Sequence, residues 1–563
     1  MKEVLEEAVK LVSESAGCSI EKARAATSLS KVSDIASTIS FELAKEKKKN
    51  PVEIAKGIAG RMGKSKNFSK IEAQGPYINF YFSDTFYADA VKKMLKEKEK
   101  FGKGKKTEKQ MMVEYFHANT HKGVHIGHIR TASLGESVSR ILSFSGNKVI
   151  RANYQGDIGP HVAKCLWGFI NLYKQEEPKE NKGVWLGKVY SEASKKIKGN
   201  KELEKEVQEI NLKLYSGDKE ITELWKNTRQ WCLDDYEKFY REFGIKFDEL
   251  YFESQTEKIG KKISLDLLKK GIAKRDQGAV IIDLKDDDLG VAVLLTKEGY
   301  PLYFAKDMGL AKLKFDKYDL DKSIHVVGKE QEFYFRQLFK IFEKTGMKRA
   351  AEVSYHLIYE LVMLPEGKMS SREGTMVLYD DLKNKLLEIS RDEIRKRHDD
   401  WSEKKINETA VMITLAAIKF SMLRRESNRT ITFEWEQALS LEGDTGPYLQ
   451  YAYVRTNGIL KKAKYKEKIN SKYSFSDDEK NLIKRMYNLP KVIDHSASEL
   501  SPHILCEYLL DLASDLNRFY VATPVINAEK KEERETRLAI VAATNIILEN
   551  GLNLLGIEAP EAM

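Results

Sequence analysis

Four of the ten histidines, His117, His121, His125 and His128, fall in one short run, VEYFHANTHKGVHIGHIR, Val113–Arg130. Imidazoles this close can do two kinds of chemistry. Their spacings of four, four and three could bring them to one side of a helix as metal ligands. Gly123 and Gly127 work against a continuous helix, and no carboxylate lies among the histidines as a further ligand. The other chemistry needs a strand that turns into a helix. The free N–H groups and positive dipole of a helix start favour phosphate. His125 and His128 at that mouth could donate to phosphate oxygens as charge builds in a transition state. Gly127 between them would leave room for a flat base to approach the backbone. Taken alone, a His-x-x-His reads more readily as two partly exposed histidines capping a helix.

A second segment bears on that choice. Lys368, Met369, Ser370, Ser371 and Arg372 stand in KMSSREG, after the apolar run LIYELVML and a PEG turn. A lysine, two hydroxyls and an arginine on a glycine-bounded loop suit the far side of a triphosphate. Such a loop can clamp pyrophosphate as it leaves. Alone, it reads more readily as a polar surface loop. The specific signal is the pair, in this order and about 240 residues apart.

The elements that would position these groups are legible around them. Met111–Ala118 reads as a strand, about 125–144 as a helix, and Asn147–Tyr154 as a second strand. Strand, loop, helix, strand is the opening of a doubly wound parallel sheet. Residues from about 175 to 269 are charged and helical in pattern, an insertion between the halves of the sheet. Apolar strand candidates resume at Ala279–Leu284, Val291–Thr296 and Ile324–Gly328. Beyond about Asp380 the pattern is helical and predicts a bundle. Upstream, KEKEKFGKGKKTEKQ (Lys96–Gln110) reads as a solvated linker. The module before it starts helical and ends in alternating apolar residues, Lys70–Ser83, which predicts strands. The fold class is α/β: a Rossmann-type catalytic domain at 111–385, an N-terminal α+β domain at 1–100 and a C-terminal all-α bundle at 386–563.

Length and composition set the outer bounds. A chain of 563 residues exceeds a single hydrophobic core, and 42% hydrophobic content fits a folded protein. Lys plus Arg exceeds Asp plus Glu by 95 − 85 = 10, which fits a polyanionic partner or a lysine-rich solvated surface. Cys18, Cys165, Cys232 and Cys506 have neither ligand nor redox spacing, so a reducing compartment and no zinc knuckle are expected. The start, MKEVLEEAVKLVSES, lacks an apolar signal core. The apolar stretch Leu538–Leu548 is too short for a bilayer, which needs about 20 residues. The chain is expected to be cytoplasmic, with no membrane partner.

HIGH at His125–His128 and KMSSR at Lys368–Arg372 resemble the two signatures of class I aminoacyl-tRNA synthetases. HKGVHIGHIRTASLGESVSRIL, KVIRANYQGDIG, YFAKD, FEWEQALSLEGDTGPYLQYAYVR and LGIEAPEAM resemble the arginyl members. The resemblance covers nearly the whole chain and is weakest in the charged insertion and the first 60 residues. It implies that ATP, with Mg²⁺ as part of the substrate complex, activates L-arginine to an adenylate. The arginyl group then passes to the terminal adenosine of tRNA(Arg). No tightly bound cofactor and no resident metal are expected, the chain is read as a monomer, and tRNA is expected to bind before arginine is activated.

By motif, the resemblance places His125, Gly127, His128, Lys368, Met369, Ser370 and Ser371 on ATP. Ser371 stands where the family's usual loop has a second lysine, and Lys122, just before the HIGH box, is expected to supply the missing charge. Glu114, Asn119, Tyr303, Asp307 and Gln331 are implied as arginine contacts, since a guanidinium calls for planar, acidic recognition. His117 and Ala118 stand where the family commonly has Ser-Pro, which leaves the role of His117 open. Gln74, Tyr77 and Asn79 match D-loop contacts. Tyr448, Tyr451, Arg455 and Met563 match anticodon-side contacts, with Tyr451 readable also as a core aromatic. Two other readings are weighed: another class I synthetase, cysteinyl or glutaminyl, and a noncatalytic tRNA-binding relative. A cysteinyl enzyme would need zinc-ligand cysteines. Arginine-dependent ATP–pyrophosphate exchange separates the second reading from an enzyme.

Overall fold

The computed structural model describes residues 1–30, 32–363, 377–466, 469 and 473–563. The predicted triphosphate loop, with Lys368, Met369, Ser370 and Ser371, lies outside them.

Five strands form a parallel sheet. Across it run Ser354–Tyr359, Lys322–Gly328, Gln110–Glu114, Lys148–Gln155 and Glu249–Phe252. Every neighbouring pair is parallel. Numbered along the chain and read from the far edge, the order is 3-2-1-4-5, the doubly wound order. The order reverses between the first strand and the fourth, so a crevice opens beyond Glu114 and Gly328. Helix Ile126–Phe144 packs on the first, second and fourth strands, and helices Glu332–Lys344 and Lys348–Val353 pack on the fifth and the fourth.

Helix Ile126–Phe144 follows the first strand and is buried almost all round. It tolerates this despite its serines because each finds an acceptor: Ser137 donates to Leu554 O of the C-terminal bundle at 3.0 Å, and the others bond within the helix. Ser133 donates to Ile129 O at 2.8 Å and Ser139 to Gly135 O at 2.7 Å.

An antiparallel sheet of four strands, Thr27–Leu29, Ile35–Ser37, Tyr77–Phe82 and Phe68–Gln74, forms the N-terminal module with its helices. Helices from Tyr379–Arg397 to Lys531–Leu554 make up the C-terminal bundle. One of them, Glu403–Leu423, is long and apolar enough to cross a membrane, but most of it is buried inside the fold.

Three expectations are corrected. The segment Lys96–Gln110 is not a free solvated linker. Phe101 is 2% exposed and lies against Tyr487, and Gly104 N donates to Phe144 O at 2.9 Å. One large apolar side chain and a backbone that docks on a helix end outweigh the lysines. The expected insertion is also shorter. Helices Lys182–Ile197, Lys201–Ser216 and Lys219–Phe243 form it, but Glu249–Phe252 returns to the sheet as an edge strand. Finally, Ala279–Asp283 and Val291–Leu295 do not join the parallel sheet. They pair antiparallel with each other, and Lys274–Asp276 completes a separate three-stranded sheet. Their short connections permit hairpins, whereas a parallel return needs a crossover of a dozen or more residues.

Candidate active site

A cavity of about 900 Å³ opens at the switch point. Ten of the predicted residues line it: Glu114, Asn119, Lys122, His125, Gly127, His128, Tyr303, Asp307, Gln331 and the undecided His117. They come from the end of the first strand, the loop after it, the start of helix Ile126–Phe144, helix Tyr303–Lys317 and the turn after Gly328.

The two signature histidines form the helix start itself. His125 is the N-cap. Its Nδ1 accepts from Gly127 N at 3.2 Å, while its own N–H donates to His128 Nδ1 at 3.1 Å. The rings stack with centroids 3.6 Å apart. Burial and Lys122 push His125 down to about 4, and burial with His125 pushes His128 well below the ordinary imidazole range. Both rings are therefore neutral near pH 7. An Nδ1 that accepts must leave the proton on Nε2, so each ring offers an Nε2–H donor. Gly127 has a second role beyond the one expected: a Cβ there would lie 3.0 Å from the His125 ring, so its absence lets that ring fold back over the helix.

His121 takes no part in the cavity chemistry. It is buried, with Nδ1 2.9 Å from Thr120 Oγ1 and Nε2 2.9 Å from Thr228 Oγ1. Among the described residues no three His, Cys, Asp or Glu side chains gather as a metal site.

Lys122 is half-buried, with its amine 5.3 Å from the centre of the Tyr190 ring. Burial and Lys164 lower its affinity for a proton. The loop that carries it is held from below. Tyr236 donates its hydroxyl to Asn119 O at 2.7 Å, and Phe116 stacks on Phe239 at 5.1 Å. Phe116 and His117 take left-handed backbone conformations, φ 81 and 53, uncommon for residues with a side chain. His117 N donates to Asn153 Oδ1 at 3.1 Å, while its Nε2 is buried without a partner. A Cβ on Gly156, in the QGDIG motif, would lie 2.1 Å from Asn119 Oδ1, so a side chain there would displace the Asn119 amide.

The acidic end of the cavity is more elaborate than the sequence indicated. Glu114 is buried and forms an ion pair with Lys314 of helix Tyr303–Lys317. Its other oxygen lies 3.1 Å from His325 Nδ1. Burial opposes its charge, but Lys314 and His325 prevail and hold the carboxyl well below the ordinary range. Burial and Lys314 push His325 down to about 4, so this contact is a neutral N–H donating to a carboxylate. Asp307 accepts from the Tyr334 hydroxyl. Burial pushes its carboxyl up to about 7, despite that hydrogen bond. Tyr303 is 69% exposed at the rim, and Gln331 is exposed beside it. Behind them, Lys306 bridges Glu253 at 2.8 Å and Glu257 at 3.1 Å.

Lys314, His325 and Tyr334 were not found from sequence. Lys314 had a signal, because Tyr303, Asp307 and Lys314 share one face of a helix. His325 had a weaker one, its place in the apolar strand Ile324–Gly328.

The remote candidates are placed apart from the cavity. In the N-terminal sheet Tyr77 is exposed, whereas Asn79 is buried, accepting from Ser33 Oγ at 3.2 Å and donating to Gln74 Oε1 at 3.0 Å. In the bundle, Tyr448 accepts from Asn517 Nδ2 at 2.9 Å and Arg455 donates to Asn517 Oδ1 at 2.8 Å. The Arg455 guanidinium lies 4.0 Å over Tyr520. Tyr451, on the same helix, is 40% exposed, so it is not a core aromatic. Met563 packs against the apolar cluster of Leu387, Ile394 and Ile406.

Comparison with known proteins covers the chain in three stretches. The N-terminal domain family of arginyl-tRNA synthetases matches residues 1–82, and the class I (R) tRNA synthetase catalytic domain matches 90–435. The DALR anticodon-binding domain matches 449–563. An arginine–tRNA ligase of Treponema denticola is 34% identical over 546 residues, covering 93% of this chain and 92% of that protein. One from Bdellovibrio bacteriovorus is 33% identical over 536 residues, covering 93% and 91%. The solved arginyl-tRNA synthetase of Thermus thermophilus superposes with a TM-score of 0.81 at 26% identity, covering 100% of both chains.

Proposed function

The chain belongs to the arginyl-tRNA synthetase family, and from that premise we propose how its own residues divide the work of an arginine–tRNA ligase. The reaction joins the arginine carboxylate to the α-phosphate of ATP and expels pyrophosphate. It then transfers the arginyl group to the terminal adenosine of tRNA(Arg) and releases AMP. The observation that carries the division of roles is the meeting of Glu114 and Asp307 with Lys122, His125 and His128 on one cavity.

The cationic end serves ATP. The Nε2–H groups of His125 and His128, the helix start at Gly127 and the Lys122 amine stabilise charge on the phosphates. By motif, Lys368, Met369, Ser370 and Ser371 act from the far side of the triphosphate. Mg²⁺ arrives with ATP as part of the substrate. The acidic end serves arginine. Glu114 and Asp307 face its two cationic groups, with Asn119, Tyr303 and Gln331 fixing its orientation. Catalysis is then positioning and charge stabilisation rather than covalent help from the protein. Buried hydrogen-bonding groups also reject uncharged analogues, by about 10⁴ or more.

Domain roles follow: 1–100 reads the D-loop through Gln74 and Tyr77, with buried Asn79 orienting Gln74, 111–385 is catalytic, and 386–563 reads the anticodon loop. Exposed Tyr451 is suited to stack on a splayed base, with Tyr448 and Arg455 beside it and Met563 on the same domain. The enzyme is proposed to act as a cytoplasmic monomer. The test is charging of total tRNA with each of the twenty amino acids. Arginine alone should be accepted, with arginine-dependent pyrophosphate exchange when tRNA is present. No exchange even then would favour a tRNA-binding protein without catalysis.

A further inference from the structure

Away from the cavity, two cations fasten the ends of two helices. Lys419, buried on helix Glu403–Leu423, donates its Nζ to Phe243 O at 2.9 Å and to Gly556 O at 2.6 Å. Arg140, on helix Ile126–Phe144, donates to Gly244 O at 2.8 Å and to Asn553 O and Oδ1 at 3.0 Å. Phe243 and Gly244 end the insertion helix Lys219–Phe243. Asn553 and Gly556 end helix Lys531–Leu554 and start the C-terminal tail. Carbonyls at helix ends lack partners within the helix, so a cation there is both a hydrogen-bond donor and a complement to the dipole.

Among the described residues no carboxylate is in contact with Lys419. Its ammonium is held by two carbonyls and the Phe243 ring, 4.7 Å away. Facing it are Arg140 and Glu136 from the signature helix, Glu242 from the insertion helix and Glu558 from the tail. Glu242 is itself paired with Lys383 at 2.9 Å. Burial pushes the ammonium down to about 7. A methionine would fill the space without desolvating a charge, so packing alone does not account for a lysine.

Both ends of this fastening lead to functional surfaces. Along the insertion helix, Tyr236 holds the backbone of Asn119, on the loop that carries Lys122. On the other side, helix Gly446–Ala463 with Tyr451 and Arg455 packs on Glu403–Leu423 and Lys531–Leu554. Its Gln450 donates to Glu558 O at 2.6 Å.

We propose that Lys419, with Arg140 beside it, is a positioning residue: it locks the end of the insertion helix to the C-terminal bundle, so that docking of tRNA on the bundle sets the position of the Asn119–Lys122 loop. This rests on the reading of the bundle as a tRNA-binding surface. A chain of packed groups needs coupling evidence before it counts as a path. The full-length chain is therefore tested as a double-mutant cycle of Lys419→Met and Tyr236→Phe. The readouts are tRNA dissociation constant, arginine KM and kcat per active site. Each single variant should lose about tenfold in kcat/KM for arginine with tRNA affinity within about twofold, and the double should be no worse than the worse single. Losses that multiply, or normal arginine kinetics in Lys419→Met, overturn the inference. If Lys419→Met does not fold, Arg140→Gln, which frees Gly244 O, takes its place in the cycle with the same two outcomes. If wild type binds no tRNA through the bundle, that underlying reading fails instead.

Discussion

Glu114 and His325 meet at 3.1 Å across the switch point of the sheet, on the two strands whose register sets them side by side. One ends the first strand and the other sits in the fourth, 211 residues later. The contact ties the acidic end of the cavity, the proposed arginine site, to the place where the strand order reverses. It also leaves Lys314 as the only full positive charge in contact with Glu114 among the described residues.

Glu114→Gln therefore removes half of a buried ion pair. Breaking such a pair costs about 3–5 kcal/mol, because the remaining charge stays buried alone. The variant should melt earlier and lose arginine-dependent exchange by about 100-fold or more. Glu114→Gln with Lys314→Met should recover stability but not activity. Recovery of both would show that Glu114 serves the fold alone.

Asp307 gives a pH dependence with a definite sign. Its carboxyl is raised from 3.8 to about 7 in the folded chain, so between these values the folded state binds more protons than the unfolded state. The Asp307 contribution to stability therefore falls as pH rises through that window. Arginine needs the carboxylate, so its binding should release a proton and its KM should fall as pH rises from about 6 to 8. Asp307→Asn should raise KM and flatten the profile. A wild-type KM independent of pH over that range would contradict this assignment.

The phosphate end should show no such inflection. His125 and His128 are held neutral, so they should not titrate in kcat between pH 6 and 8. His125→Ala should lower kcat of exchange by about 10²–10³ with arginine KM little changed, and His125→Asn, which keeps an N–H donor, should recover part of it. Lys122→Ala should lower exchange as well, with Lys122→Arg closer to wild type. Unchanged exchange in Lys122→Ala would remove Lys122 from the phosphate site.

Tyr451 is exposed, so its loss should spare the fold. Tyr451→Ala should raise the KM for tRNA by about tenfold, within the 1–3 kcal/mol range of a stacked base, with melting temperature and arginine activation rate held. A lowered melting temperature with unchanged tRNA KM would make it a packing residue.

By itself, the sequence determined the class of chemistry. Two local signatures and the strand–helix–strand pattern around His125 predicted a phosphate site at a helix start, because that arrangement is built from neighbours in the chain. Glu114 and Asp307, the proposed partners of the substrate's cationic groups, were legible as residue types. Tertiary structure alone decided what each of those carboxylates feels. Lys314 and His325 reach Glu114 from another helix and another strand, and burial outweighs the Tyr334 hydroxyl and Lys314 to lift Asp307. Local patterning also misplaced the lysine-rich segment around Phe101 and the hairpin from Ala279 to Leu295. Docking of the one and antiparallel pairing of the other depend on partners that only the folded chain brings near. The same holds for the clamp at Lys419, whose two acceptors, Phe243 O and Gly556 O, lie 176 and 137 residues away along the chain.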